Sequence, residues 1–160
     1  MGSRGSVIPF FISQISKGEL PITDERMTRF MITLEEGVKL VWHAFDDMLG
    51  GEIYVKKIPS MKITDIALSV APNLSHKIIG IRPGEKIHED IITKQDSRST
   101  YQIKNCFILL SDNPILEKIY EKKFKLRKVE KNFCYNSRTN SEFLSVNDLR
   151  KILKNNNFIK

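Results

Sequence analysis

Between Thr33 and Gly51 the chain is punctuated as one amphipathic helix, and this segment constrains the fold more than any other. Thr33-Leu34-Glu35-Glu36 reads as a capping box, in which the threonine hydroxyl and the Glu36 carboxylate each satisfy an amide at the helix start. Leu34, Val38, Val41, Phe45 and Met48 then recur at three- and four-residue spacing, with Trp42 alongside. Gly50-Gly51 stops the run.

Shorter elements flank it. A helix is expected from Ser6 to Lys17, with Ser6 as cap, Pro9 in the first turn and Gly18 at a left-handed exit. Ile8, Phe11, Ile12 and Ile15 share its apolar face. The preceding Met1–Gly5 reads as a short connector, since two glycines give it unusual freedom. Strands are expected at Arg29–Ile32, Glu52–Lys56, Ile78–Ile81 and Phe107–Leu110. Ile63–Val70 is a short helix, and a turn followed by another short helix is expected through about Ile92. A capped helix starting near Ser145 ends the chain, burying Leu149, Ile152 and Leu153. The alternation is α/β, and with no repeat or long linker the 160 residues read as a single portion.

Bulk properties exclude several classes. An apolar fraction of 41% suits a globular chain, and no apolar run approaches the roughly 18–20 residues of a membrane helix. With no secretory signal pattern at the start, a cytoplasmic location and no membrane partner are expected. Cys106 and Cys134 lack metal or redox spacing and are expected as buried free thiols, so no metal site is assigned. Much of the net charge of +7 comes from the basic segment 117–131. Its lysines are mixed with glutamates and carry no stacking or helix-turn-helix signature, which argues for a solvated face and against nucleic acid.

Ile79-Gly80-Ile81-Arg82-Pro83-Gly84-Glu85-Lys86 is the strongest candidate for chemistry. An arginine at a strand exit can clamp a diphosphate with its planar fork, and Lys86 adds a mobile charge. If Gly84 opens a helix, its free amides add to an anion site. Spacing alone leaves open a surface turn with an Arg–Glu pair. Gly2-Ser3-Arg4-Gly5-Ser6 offers a weaker anion site through Arg4, two hydroxyls and a helix start. Arg29, in an otherwise apolar strand, is expected to be paired or to meet a ligand. His43 reads as structural or exposed, while His88 and Glu89 lie close to the arginine turn. Tyr101 lacks the lysine four residues later that would lower its pKa, since that position is Asn105. No strand is followed by Gly-x-Gly-x-x-Gly, and no Walker loop, nucleophile elbow or HExxH pair occurs.

Several stretches together resemble the nucleotide-sugar 4,6-dehydratases of the extended short-chain dehydrogenase/reductase superfamily, specifically the inverting UDP-N-acetylglucosamine and capsular polysaccharide group. They are Gly2–Phe11, Leu20–Asp24 with Arg26–Phe30, Gly51–Val55, Ile58–Ile63 and Gly80–Glu89. Asp96–Arg98, Tyr135–Ser137, Thr139-Asn140 and Phe143–Ser145 follow in the same order. The resemblance implies the C-terminal substrate-binding portion of that fold, without the Rossmann half that carries the glycine-rich loop. It implies an intact enzyme that uses NADP to dehydrate UDP-N-acetylglucosamine to a 4-keto-6-deoxy product, with no cofactor held by this chain.

Carried over residue by residue, Arg82 contacts the UDP phosphates and Glu85 and Lys86 complete its motif. Val7, Ile8 and Pro9 run beside the nucleotide, and Arg29 stands near the nucleotide or supports its pocket; apart from that carry-over, aromatic and aliphatic residues near Phe10 and Phe11 are expected to flank the uracil or sugar. The Tyr-x-x-x-Lys pair has no counterpart, so no catalytic residue is assigned and the chain is expected to be a truncated dehydratase inactive alone. The alternatives are a non-catalytic interaction protein and one half of a split enzyme. Its expected partners are a UDP-sugar and a Rossmann half from another chain, or a second copy of itself.

Overall fold

A computed structural model describes residues 1–3, 5–111 and 113–159. The elements run α1 (Val7–Gln14), β1 (Glu19–Ile22), β2 (Thr28–Phe30), α2 (Leu34–Asp47), β3 (Ile53–Lys56), β4 (Ser60–Lys62) and α3 (Ile63–Val70). They continue as β5 (Ser75–Ile78), β6 (Asp90–Ile92), β7 (Thr100–Ile103), β8 (Cys106–Leu109), α4 (Pro114–Lys123), β9 (Arg127–Lys128), β10 (Tyr135–Asn136) and α5 (Val146–Asn155). The fold is mixed α/β, as expected. The chain packs as two compact units. No helix among the described residues is long and apolar enough to cross a membrane.

The first unit comprises Met1–Leu34, Pro59–Glu89 and Ser137–Lys160. Three helices build its core from helical spacing: Ile8 and Phe11 of α1, Ile63, Ile66, Ala67 and Val70 of α3, and Leu149 and Leu153 of α5. Leu20, Ile22, Met27, Met31 and Met61 fill the space between them. Burial of each such aliphatic side chain stabilises the fold by roughly 1.5–3 kcal/mol before entropy is charged. β1 runs parallel to β5, pairing Leu20 with His76 and Ile22 with Ile78. Pro21 disguises β1 in the sequence, yet proline is tolerated on an edge strand, where a missing N–H breaks no ladder. β2 and β4 pair antiparallel, with Arg29 opposite Met61.

The helix expected from Ser6 is present, continued by a 3-10 turn over Ile15–Lys17 and closed by Gly18 at φ 77°. Ser6 sits at the N-cap, but its side chain makes no capping bond. The N-terminal connector is packed: the Met1 amine donates to the Ile32 carbonyl and Met1 lies against the core. Gly2, at φ 81°, lies so close to the Phe158 ring that a Cβ there would meet Cζ at 2.3 Å.

The second unit comprises Glu35–Ile58 and Asp90–Asn136. Its antiparallel sheet has the order β3-β8-β7-β9, and the β7–β8 hairpin turns through Lys104-Asn105 with Lys104 at φ 32°. Tyr101, Ile103, Cys106, Ile108, Leu110 and Tyr120 form the buried cluster. The helix read from Thr33 is α2, which stops at Asp47, ahead of Gly50 and Gly51 at φ 112° and 88°. It buries none of its residues. Its stripe faces outward, with Leu34 80%, Trp42 64% and Phe45 63% exposed.

Two local expectations fail for one reason. The helix expected to reach Ile92 is absent, and the chain is extended there: Ile87 accepts from the Thr28 amide at 3.0 Å, and Asp90–Ile92 pairs with β10. Strand pairing overrides a local preference worth only tenths of a kcal/mol per residue. The strand expected at Ile78–Ile81 begins instead at Ser75, where the partner β1 sets its register.

Candidate functional site

The main cleft lies within the first unit and has a volume of about 750 Å³. The start of α1 forms one wall with Val7, Ile8, Pro9, Phe10 and Phe11, and Met27, Met31 and Ile63 line its apolar floor. Arg29 and Phe30 enter from β2, while Ile79, Arg82 and Glu85 come from the segment after β5. Of the residues read from sequence, the fold therefore gathers Val7, Ile8, Pro9, Phe10, Phe11, Arg29, Arg82 and Glu85 around one concavity. Lys86 is exposed and does not line it. Arg4 lies outside the described residues.

The two arginines stand in contrasting states. Arg82 is exposed, and its guanidinium has no hydrogen-bond or ion-pair partner among the described residues. Its backbone is fixed: the Arg82 amide donates to Glu85 Oε2 at 3.1 Å, and the Glu85 amide donates back to the Arg82 carbonyl at 3.1 Å. In place of an Arg–Glu side-chain pair, the Glu85 carboxylate caps its own turn. Gly84 sits in this turn at φ 85° and opens no helix, so the helix-start amides expected beside Arg82 are not formed.

Arg29 is fully engaged. Nη1 donates to the carbonyls of Thr28 at 2.7 Å and Ile87 at 3.1 Å. Nη2 reaches the Lys86 carbonyl at 3.0 Å and Met27 Sδ at 3.4 Å. Nε stands 3.7 Å from Glu89 Oε1, whose other oxygen accepts from the Phe30 amide at 2.8 Å.

Sequence reasoning missed Ser137. Fully buried, its hydroxyl accepts from the Glu89 amide at 2.9 Å and lies 2.7 Å from Thr28 Oγ1. Thr28 Oγ1 is in turn 2.8 Å from His88 Nδ1. Burial holds His88 below the usual histidine range, and Arg138, Arg29 and Arg26 add to the effect. His88 and Glu89 thus lie in a network supporting the cleft rather than forming an acid–base pair. Only the small hydroxyl after Tyr135-Asn136 hinted at Ser137, and nothing local marks it as buried.

The remaining candidates resolve into structural roles. Asp24 takes a bidentate bond from Arg26, which holds its carboxyl at about 2. His43 stacks edge-on against Tyr54, and the Tyr101 hydroxyl donates to Glu117. Cys106 is a buried free thiol, whereas Cys134 is half-buried and donates to Asp90 at 2.9 Å. Burial, with Asp90 beside it, pushes the Cys134 thiol up to about 11, so it is not a thiolate at neutral pH. Among the described residues no group of three His, Cys, Asp or Glu side chains could hold a metal. The parallel strands β1 and β5 lead into Thr23-Asp24-Glu25-Arg26 and Ile79-Gly80-Ile81-Arg82, and neither is a glycine-rich turn entering a helix.

The basic segment 117–131 is divided between α4, the loop after it and β9. Lys123 donates to Asp47 O at 2.8 Å and pairs with its carboxylate at 3.1 Å. Lys128 lies 5.2 Å above the Tyr101 ring. Asn113, which caps α4 through bonds from the amides of Ile115 and Leu116, and Pro114 after it are the start signal that the sequence reading passed over.

The chain is similar to known proteins. Residues 1–111 match the family model described as polysaccharide biosynthesis protein. A UDP-N-acetylglucosamine 4,6-dehydratase (inverting) of Campylobacter jejuni subsp. jejuni serotype O:2 is 50% identical over 96% of this chain and 48% of its own length. The protein of the same description from serotype O:23/36 is 48% identical over the same shares. The X-ray structure of Pen from Bacillus thuringiensis superposes with a TM-score of 0.80 at 29% identity, covering 100% of this chain and 47% of that one. The chain spans about half the length of the curated relatives it matches.

Proposed function

The chain belongs to the polysaccharide biosynthesis protein family, and from that premise we propose that its cleft binds a UDP-linked sugar of the UDP-N-acetylglucosamine class. The observation that carries this reading is the guanidinium of Arg82, without a partner among the described residues, at an apolar-walled cleft whose other arginine spends both terminal nitrogens on backbone carbonyls. A diphosphate supplies the oxygens that such a fork lacks. The walls formed by Val7, Ile8, Pro9 and Phe10 give a base or sugar ring an apolar surface. Glu85 holds the Arg82 turn, and Lys86, outside the cleft, contributes only long-range charge.

In this reading the chain's role is to bind and orient the nucleotide sugar within an NADP-dependent 4,6-dehydratase. No residue of the chain is assigned a bond-making step, because none of its tyrosines is followed four residues later by lysine. Titration calorimetry with UDP and UDP-N-acetylglucosamine tests it. An exposed charge-assisted contact contributes about 1.5 kcal/mol, so Arg82→Ala should weaken UDP by about tenfold while leaving the melting temperature unchanged. Equal heats for both proteins would remove the proposed clamp.

A second reading rests on α2. Its outward apolar stripe, running from Leu34 through Trp42 and Phe45, is a surface that association would cover. The proposed cover is a Rossmann half or, failing that, a second copy of this chain.

A further inference from the structure

Arg29 lines the cleft and would ordinarily be counted as a second phosphate ligand, yet four of its five donors are taken by hydrogen bonds. A guanidinium has five N–H groups. Here four point at the carbonyls of Thr28, Lys86 and Ile87 and at Met27 Sδ, and the fifth faces Glu89. An anion approaching Nε would meet the Glu89 carboxylate, and one binding the terminal nitrogens would have to break these bonds. What they accomplish is specific: one side chain on β2 grips consecutive carbonyls of the segment that follows the Arg82 turn. The Thr28 amide to Ile87 and the Phe30 amide to Glu89 Oε2 reinforce the grip from the same strand. On its far side the Ser137 hydroxyl takes the Glu89 amide, and the Ser137 amide donates to Glu89 O at 2.8 Å. Arg82 is therefore free in its side chain while the chain just after it is clamped.

We infer that Arg29 is a positioning residue, which presents Arg82 to the anion by holding Lys86–Glu89 on β2 and makes no contact with the ligand itself. This inference rests on the UDP-sugar reading for its ligand but not for its mechanical part. Arg29→Lys separates the two roles. Lysine keeps the charge, but a single ammonium cannot hold three carbonyls in one plane.

The experiment uses the full chain in two arms. In the first, UDP affinity is measured for the wild type, Arg29→Lys, Arg82→Ala and the double variant. Positioning predicts that Arg29→Lys weakens UDP about tenfold when Arg82 is present and less than about twofold when it is absent, because coupled residues do not add. Equal losses in both backgrounds make Arg29 a ligand and overturn the inference.

The second arm is free of ligand: amide exchange across residues 82–89 should speed up in Arg29→Lys and, to a smaller degree, in Glu89→Gln, while peptides of α3 stay protected. Unchanged exchange at 82–89 overturns the inference even if the wild type binds no UDP, an outcome that would separately defeat the UDP-sugar reading. General loss of protection that includes α3 in both variants also overturns it, since Arg29 would then hold the whole unit and not one segment.

Discussion

Ser137→Ala tests the support of the cleft most directly. Ser137 has 0% exposure, and its hydroxyl accepts the Glu89 amide at 2.9 Å, meets Thr28 Oγ1 at 2.7 Å and donates to Thr28 O at 3.2 Å. Alanine removes one oxygen and leaves a void too small for a water to replace it. The Thr28 hydroxyl keeps its contact with His88, but the Glu89 amide loses its acceptor. A buried donor left without a partner costs about 1–3 kcal/mol. Glu89 is only part-buried, which places the expected loss at about 1–2 kcal/mol, a factor of roughly 5–30 in the folding equilibrium.

Urea unfolding followed by circular dichroism reads this as a lower midpoint at unchanged slope. Exchange of the amides near Glu89 should speed up in parallel. Ser69→Ala is the control, because Ser69 is equally buried but only donates, to Asp65 O at 2.7 Å and Val146 O at 3.2 Å. The Asp65 carbonyl keeps its helix bond, so the loss should be smaller. A Ser137→Ala protein within about 0.5 kcal/mol of wild type, the range of ordinary surface changes, would refute the reasoning.

Two further outcomes are expected. His88 has a folded-state pKa below its ordinary 6.5, so its contribution is complete above that value and is lost as pH falls through the lowered one. The lowered carboxylates Asp24, Glu35, Glu52, Asp96 and Asp148 start from 3.8 or 4.5 and act only below that window. The melting temperature should therefore drop between pH 7 and pH 5, and His88→Gln should flatten the drop; equal slopes for the two proteins would exclude His88 as the cause. On α2, Trp42→Gln with Phe45→Gln should reduce concentration-dependent association in sedimentation velocity, because both rings are more than half exposed. Unaltered sedimentation of an associating wild type would show that the stripe is not the contact.

Local signals sufficed wherever an element carries its own start, stop and period. α1, α2, α3 and α5 were legible because capping residues, glycine exits and three- to four-residue spacing are properties of a short window. The α/β class followed from their alternation with short strands. The sequence also marked Arg82, Arg29 and the Val7–Phe11 segment, though not how they meet.

Tertiary structure decided the rest, because strand pairing and burial join residues far apart in the chain. Only pairing could turn Ile87–Ile92 from a plausible helix into extended chain, or make Pro21 part of a strand. Only the fold could bring Ser137 to Thr28, across 109 residues, and bury both. The difference between the arginines has the same origin. Both stand in largely apolar stretches of sequence, but Arg29 faces carbonyls that the fold has brought to it, while Arg82 stays exposed at the cleft.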